Sequence, residues 1–165
     1  MRPPTVLADA DRRWSRLRPP MSYVKLGDLM RNAGRDEEAA RLYGDSLDIA
    51  RRLADAEPGR ADYQRDLVLG LQRLGQTQRD TSLEEALGSW REAYELVVRL
   101  AEGQPNDPGI ATDLAVSLFL LAGGEDDPSP LLIQARNVLE AQGDRLPENG
   151  QRLHAVLLDD KQTES

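Results

Sequence analysis

The residues best equipped for acid–base or metal chemistry are one histidine, His154, and several neighbouring carboxylates: Glu37-Glu38, Glu84-Glu85, Asp159-Asp160 and Glu125-Asp126-Asp127. A proton-sharing dyad needs two groups aimed at one point. Adjacent helical residues point in different directions, because only positions three or four apart share a face. Glu125-Asp126-Asp127 lacks the spacing of a calcium loop and the Glu at its twelfth position, so it reads as a solvated turn. His154 stands beside Leu153, Val156 and Leu157, as a surface or half-buried member of a terminal amphipathic helix does. The chain has no cysteine, which excludes disulfides and thiolate metal sites. No Gly-rich phosphate loop follows a strand pattern, and no His pair stands at metal-ligand spacing. The parts for catalysis are missing, so the expectation is a protein that is not an enzyme and uses no cofactor.

The elements that would position any site are helical. Of 165 residues, 39% are hydrophobic and 30% charged, the profile of one soluble domain. Leu and Ala dominate the apolar set while β-branched and aromatic residues are few, which favours helix packed on helix. The net charge is −8. It is +3 over residues 1–20, −3 over 21–101 and −8 over 102–165. So acidic a chain, with no Arg-rich face interleaved with aromatics, is not expected to bind nucleic acid. The N-terminus lacks the apolar core of a signal peptide, and no apolar run approaches the roughly 20 residues that span a bilayer. The expectation is therefore a cytoplasmic protein with no membrane partner.

The chain repeats itself. Arg52-Leu53-Ala54 recurs as Arg99-Leu100-Ala101, an offset of 47 residues shared by Pro58 and Pro105, and by Asp66-Leu67 and Asp113-Leu114. Ala39, Tyr43 and Ser46 correspond in the same way to Ala86, Trp90 and Ala93. Leu26-Gly27 recurs as Leu74-Gly75 at 48, one residue having been lost from a short loop. Each unit reads as two helices. Apolar residues Met21, Val24, Leu26, Leu29 and Met30 mark the first, which Gly34 stops. Asp36 is expected to cap a second helix that buries Ala39, Leu42, Tyr43, Ser46, Leu47, Ile49, Ala50 and Leu53 and ends at Glu57-Pro58-Gly59. The next unit runs through Tyr63–Thr77 and Leu83–Glu102, with Ser82 as cap. Helices near Ile110–Ala122, Pro130–Gln142 and Glu148–Asp159 complete the pattern.

These residues resemble the tetratricopeptide repeat family. Its first helix carries a bulky residue followed by Leu-Gly three positions on, matched by Tyr23 with Leu26-Gly27, Leu71 with Leu74-Gly75 and more loosely Leu118 with Leu121-Ala122. Its second helix carries a small residue, an aromatic and another small residue, matched by Ala39-Tyr43-Ser46 and Ala86-Trp90-Ala93. Ala135-Leu139 matches in part, and Gln142 breaks the last small position. Small residues let helices approach closely, and the aromatic is expected to fill the gap between adjacent units. The helix-ending Pro follows the small residue by nineteen positions in the first two units, not the family's twelve, so the second helices are about two turns longer. Such long helices look like those in bacterial arrays attached to signalling ATPases or proteases.

The resemblance implies an all-α fold: an α-solenoid of antiparallel helix pairs, about three repeats plus terminal capping helices. Residues 20–165 form the repeat domain. Residues 1–19 are an N-terminal arm or, because Leu7-Ala8-Asp9-Ala10-Asp11 echoes Leu53-Ala54-Asp55-Ala56-Glu57, a remnant capping helix. It also implies a concave groove lined by first helices, here by Val24, Asp28, Arg31, Gln72, Gln76, Arg79, Val116 and Phe119. Arg31 and Arg79 occupy equivalent places and together offer a ladder for a carboxylate. The simpler arrangement pairs each with an acidic neighbour, Asp28 or Asp80. Phe119 is either an exposed anchor or core between units three and four. Some family members read a terminal carboxylate with Lys and Asn, where unit one holds Val24 and Asp28, so that specificity is not implied. The function expected is a scaffold-like module binding a peptide or helix of another protein. The alternative is an oligomerisation or regulatory segment of a larger signalling protein, possible as a homodimer.

Overall fold

The computed structural model describes residues 20–163. The arm or capping helix expected over 1–19 lies outside the described residues. Seven α-helices follow one another: α1 (Pro20–Asn32), α2 (Asp36–Ala56), α3 (Ala61–Gln78), α4 (Leu83–Gly103), α5 (Pro108–Ala122), α6 (Ser129–Glu140) and α7 (Glu148–Thr163). One 3₁₀ turn, Gly143–Arg145, precedes α7, and there is no strand among the described residues. The fold is all-α, with each helix packed chiefly on its neighbours in the chain.

Local chemistry sets the ends. Gly34 takes φ +72°, a left-handed conformation that costs a glycine nothing. The Gly34 amide then donates to the Arg31 carbonyl at 3.0 Å and the Arg35 amide to that of Met30 at 2.9 Å, closing α1 in a Schellman motif. Ser82 caps α4 by accepting from the Glu85 amide at 3.3 Å. Asp107 caps α5 by accepting from the amides of Gly109 and Ile110, with Pro108 in the first turn. Asp36 does not cap α2. It is the first helical residue, and Arg35 holds the cap position with no side-chain cap bond. Asp36, Glu37 and Glu38 instead place negative charge where the helix dipole favours it.

The odd-numbered helices touch one another in series, and α1, α3 and α5 each pack on the even-numbered helix that follows. Tyr43 and Trp90 hold these pairs together. A Cβ on Gly27 would stand 2.5 Å from the Tyr43 ring, and one on Gly75 would overlap the Trp90 indole. The aromatics therefore seat on a glycine within their own pair, α1–α2 and α3–α4, while Leu74 of α3 packs against the cluster that holds Tyr43. In α5–α6 the corresponding places hold Ala122 and Leu139, both buried.

Three apolar clusters run along the chain. Val24, Ala39 and Tyr43 form the first. Leu47, Ala50, Leu67, Val68, Leu71, Ala93, Val97 and Ile110 form the central one, drawn from α2 through α5. Ala115, Leu118, Ala135, Leu139, Leu146 and Leu157 form the third. Leu42, Ile49 and Leu53, expected in the core, are half-buried. On α1 the apolar set divides: Val24 is buried, whereas Leu26 and Leu29 are exposed.

Candidate functional site

The C-terminal ends of α1 and α3 converge with α5 around a cavity of about 480 Å³. Arg31 from α1, Gln76 and Arg79 from the end of α3, and Phe119 from α5 all line it. Four of the eight groove residues named from sequence therefore meet in one place. Around them stand Asp36, Thr77, Asp80 and Thr81, with Trp90 and Leu120 adding apolar surface.

A polar relay fixes the near wall. The Tyr43 hydroxyl donates to Asp28 Oδ1 at 2.7 Å, and Asp28 pairs with Arg73 Nε at 3.2 Å. Arg73 reaches Gln76 Oε1 at 3.3 Å, and Arg31 Nη1 donates to the same oxygen at 2.6 Å. Burial pushes the Tyr43 phenol above its ordinary range, and the Asp28 carboxylate adds to that push. Each member of the relay orients the next, so Arg31 is held toward the cavity by a neutral amide. The Arg31–Asp28 pair expected from sequence does not form, because Asp28 is engaged by Tyr43 and Arg73. Nor does Arg79 pair with Asp80. Among the described residues the Arg79 side chain makes no hydrogen bond or ion pair.

The other expected groove residues lie elsewhere. Val24 is 4% exposed and packs with Ala39 and Tyr43, so it is core. Gln72 is 5% exposed, and its Nε2 donates to the Asp113 carbonyl and to Ser117 Oγ, both at 2.9 Å. It ties α3 to α5 instead of facing a ligand. Val116 is half-buried and does not line the cavity. Phe119 is 37% exposed, so it is not core between the third pair and α7. Arg73 escaped the sequence reading, since nothing local distinguishes it from other surface arginines. Its role exists only because α1 brings Asp28 beside it.

The cavity lining carries two guanidinium groups and two carboxylates, Arg31 and Arg79 against Asp36 and Asp80. The Thr77 and Thr81 hydroxyls donate to backbone carbonyls of Leu74 and Gln78. Such a lining selects neither anions nor cations as a class. It offers paired polar contacts of both signs around an apolar wall of Phe119, Leu120 and Trp90.

A second cavity of about 480 Å³ lies between the 3₁₀ turn and α7, lined by Asp144, Leu146, Gln151, His154 and Leu158 among others. His154 Nε2 is buried without a hydrogen-bond partner, 3.8 Å from Glu140 Oε1. Among the described residues no group of three or more His, Cys, Asp or Glu is placed to hold a metal ion, and no helix is long and apolar enough to cross a membrane. No family model, curated protein or solved structure matches the chain.

Proposed function

We propose that this chain is a non-catalytic binding module, an α-solenoid of tetratricopeptide type that holds a peptide or helix of another protein. Support for the repeat comes from the paired seats Gly27–Tyr43 and Gly75–Trp90, which recur at the sequence period, and from the serial contact of odd-numbered helices. Stacked units of this kind bury a continuous core and leave a curved surface free for a partner. The single observation that carries the functional reading is the convergence of Arg31, Gln76, Arg79 and Phe119 on one cavity from three successive odd-numbered helices. The unpaired Arg79 guanidinium takes a partner carboxylate, and Phe119 with Leu120 receives an apolar side chain beside it. Desolvated Arg and aromatic contacts of this type dominate binding energy when truncated.

The test begins with capture of a partner from the source cells, followed by direct titration of that purified partner. Arg79→Glu and Phe119→Ala each weaken binding at least tenfold, about 1.4 kcal/mol. An exposed control outside the cavity, Arg91→Glu, leaves it unchanged. A partner that binds all four proteins equally sinks the groove reading. The alternative, a self-associating segment, predicts instead a doubled mass in light scattering with no second protein present.

A further inference from the structure

The outward face of α1 is built as an interface. Leu26 is 44% exposed and Leu29 62%, on a face they share with exposed Ser22. The 48-residue offset places Ser22, Leu26 and Leu29 at Gly70, Leu74 and Thr77 of α3, and 47 further residues carry the last of these to Gly124, just past the end of α5. At those later positions the face is closed by the preceding even-numbered helix. A Cβ on Gly70 would lie 3.0 Å from Leu47 of α2, and one on Gly124 would overlap Leu87 of α4. Leu74, the counterpart of Leu26, packs against both the first and the central cluster. The face that α2 and α4 cover downstream is thus the face that α1 leaves bare.

We propose that the chain's own upstream residues cover this face, through Leu7, Ala10, Trp14 and Leu17, which lie outside the described residues. Their spacing of three, four and three is that of one apolar stripe on a helix, the same pattern by which α2 and α4 meet their partners. Pro19 directly before α1, with Pro20 at its first position, disfavours one continuous helix through both stretches and so favours a reversal of the chain there. The size of the face decides between this occupant and a separate molecule. Two exposed leucines fall well short of the roughly 1,000 Å² that a stable association between molecules buries. A segment joined to α1 needs far less, because a short tether holds it at an effective concentration on the order of millimolar.

The chain carries its own probe. Trp14 and Trp90 are its two tryptophans, and Trp90 is 1% exposed, so iodide quenching of tryptophan emission reads Trp14. The full chain is compared with Leu26→Ser/Leu29→Ser, substitutions at exposed positions whose helix content is checked by circular dichroism. The expected result is a Trp14 shielded from iodide in the unsubstituted chain and quenched several-fold more strongly in the variant. Free access of iodide to Trp14 in the unsubstituted chain overturns the proposal, and so does shielding that survives both substitutions. Shielding that disappears on dilution, together with a halved mass in light scattering, assigns the face to a second copy and also overturns it.

Discussion

Gly27 and Gly75 each lie under an aromatic ring of the following helix, whereas Gly44 and Gly88 face open space inside their helices. The same substitution therefore has opposite signs at the two kinds of site. Gly75→Ala forces its methyl into the Trp90 indole and costs about 1–3 kcal/mol of stability through overpacking. Gly88→Ala removes backbone freedom from the unfolded chain without a clash and adds about 0.5–1 kcal/mol. Urea denaturation of both variants checks the pair. Asp66 carries a different kind of stress. Burial, and secondarily the nearby Asp62 carboxylate, raise its pKa from 3.8 to about 6. A carboxyl whose folded pKa is raised stabilises the fold below the unfolded value, and that contribution is lost as pH rises through about 6. Asp66→Asn is therefore more stable than the parent chain at pH 7 by about 1–2 kcal/mol. The advantage disappears below about pH 4, which parallel urea titrations at the two pH values read directly.

Helix ends and inter-helix struts act at the scale of elements. Ser82 accepts from the Glu85 amide, while Asp36 accepts no cap bond. Ser82→Ala accordingly costs about 1 kcal/mol. Asp36→Ala costs only a few tenths, about what loss of one exposed charge from the dipole end implies. Equal losses in the two variants would contradict the cap assignment. The α3–α5 contact is unusually polar. Arg65 Nε meets Asp113 Oδ2 at 2.5 Å, with Asp113 2% exposed, and Gln72 bridges the same two helices. Burial keeps the Asp113 carboxyl above its ordinary range even though the Arg65 guanidinium opposes the shift. Removing either partner of such a pair strands the other, so the pair fixes how α3 and α5 lie against each other more than it adds net stability. That fixed placement is what holds Arg79 and Phe119 at one cavity.

At the scale of the whole molecule, contacts run mainly between helices adjacent in sequence. Stability in such an arrangement is local, because each element answers to its nearest neighbours. α3 and α4 sit between partners on both sides and share the central cluster. α7 contributes Leu157 to the third cluster and packs chiefly on α5 and α6. Native-state hydrogen exchange should therefore release the α7 amides well before those of α3 and α4. Uniform exchange across all seven helices would show one cooperative unit instead of a graded array. A long segment bound along the odd-numbered helices would raise protection at α1, α3 and α5 together.

Helix content, the seven helices among the described residues and most of their ends were legible in the chain itself, because each rests on local chemistry. The 3.6-residue apolar stripe, Gly34, Ser82 and the Pro-containing loops act over a few residues and need no distant partner. The internal repeat was legible for the same reason, and it placed Gly27, Tyr43, Gly75 and Trp90 in equivalent roles. Which polar residues face a ligand was not, since that depends on how helices rotate against each other. Val24 and Gln72 sit on the same helices as Arg31 and Arg79, yet helix rotation and packing turn the first two inward. Arg73 acquired its place in the relay only when α1 brought Asp28 within 3.2 Å. Periodicity names the apolar face of a helix. Only the packing of three helices, 45 to 48 residues apart in sequence, determines which of its polar neighbours meet.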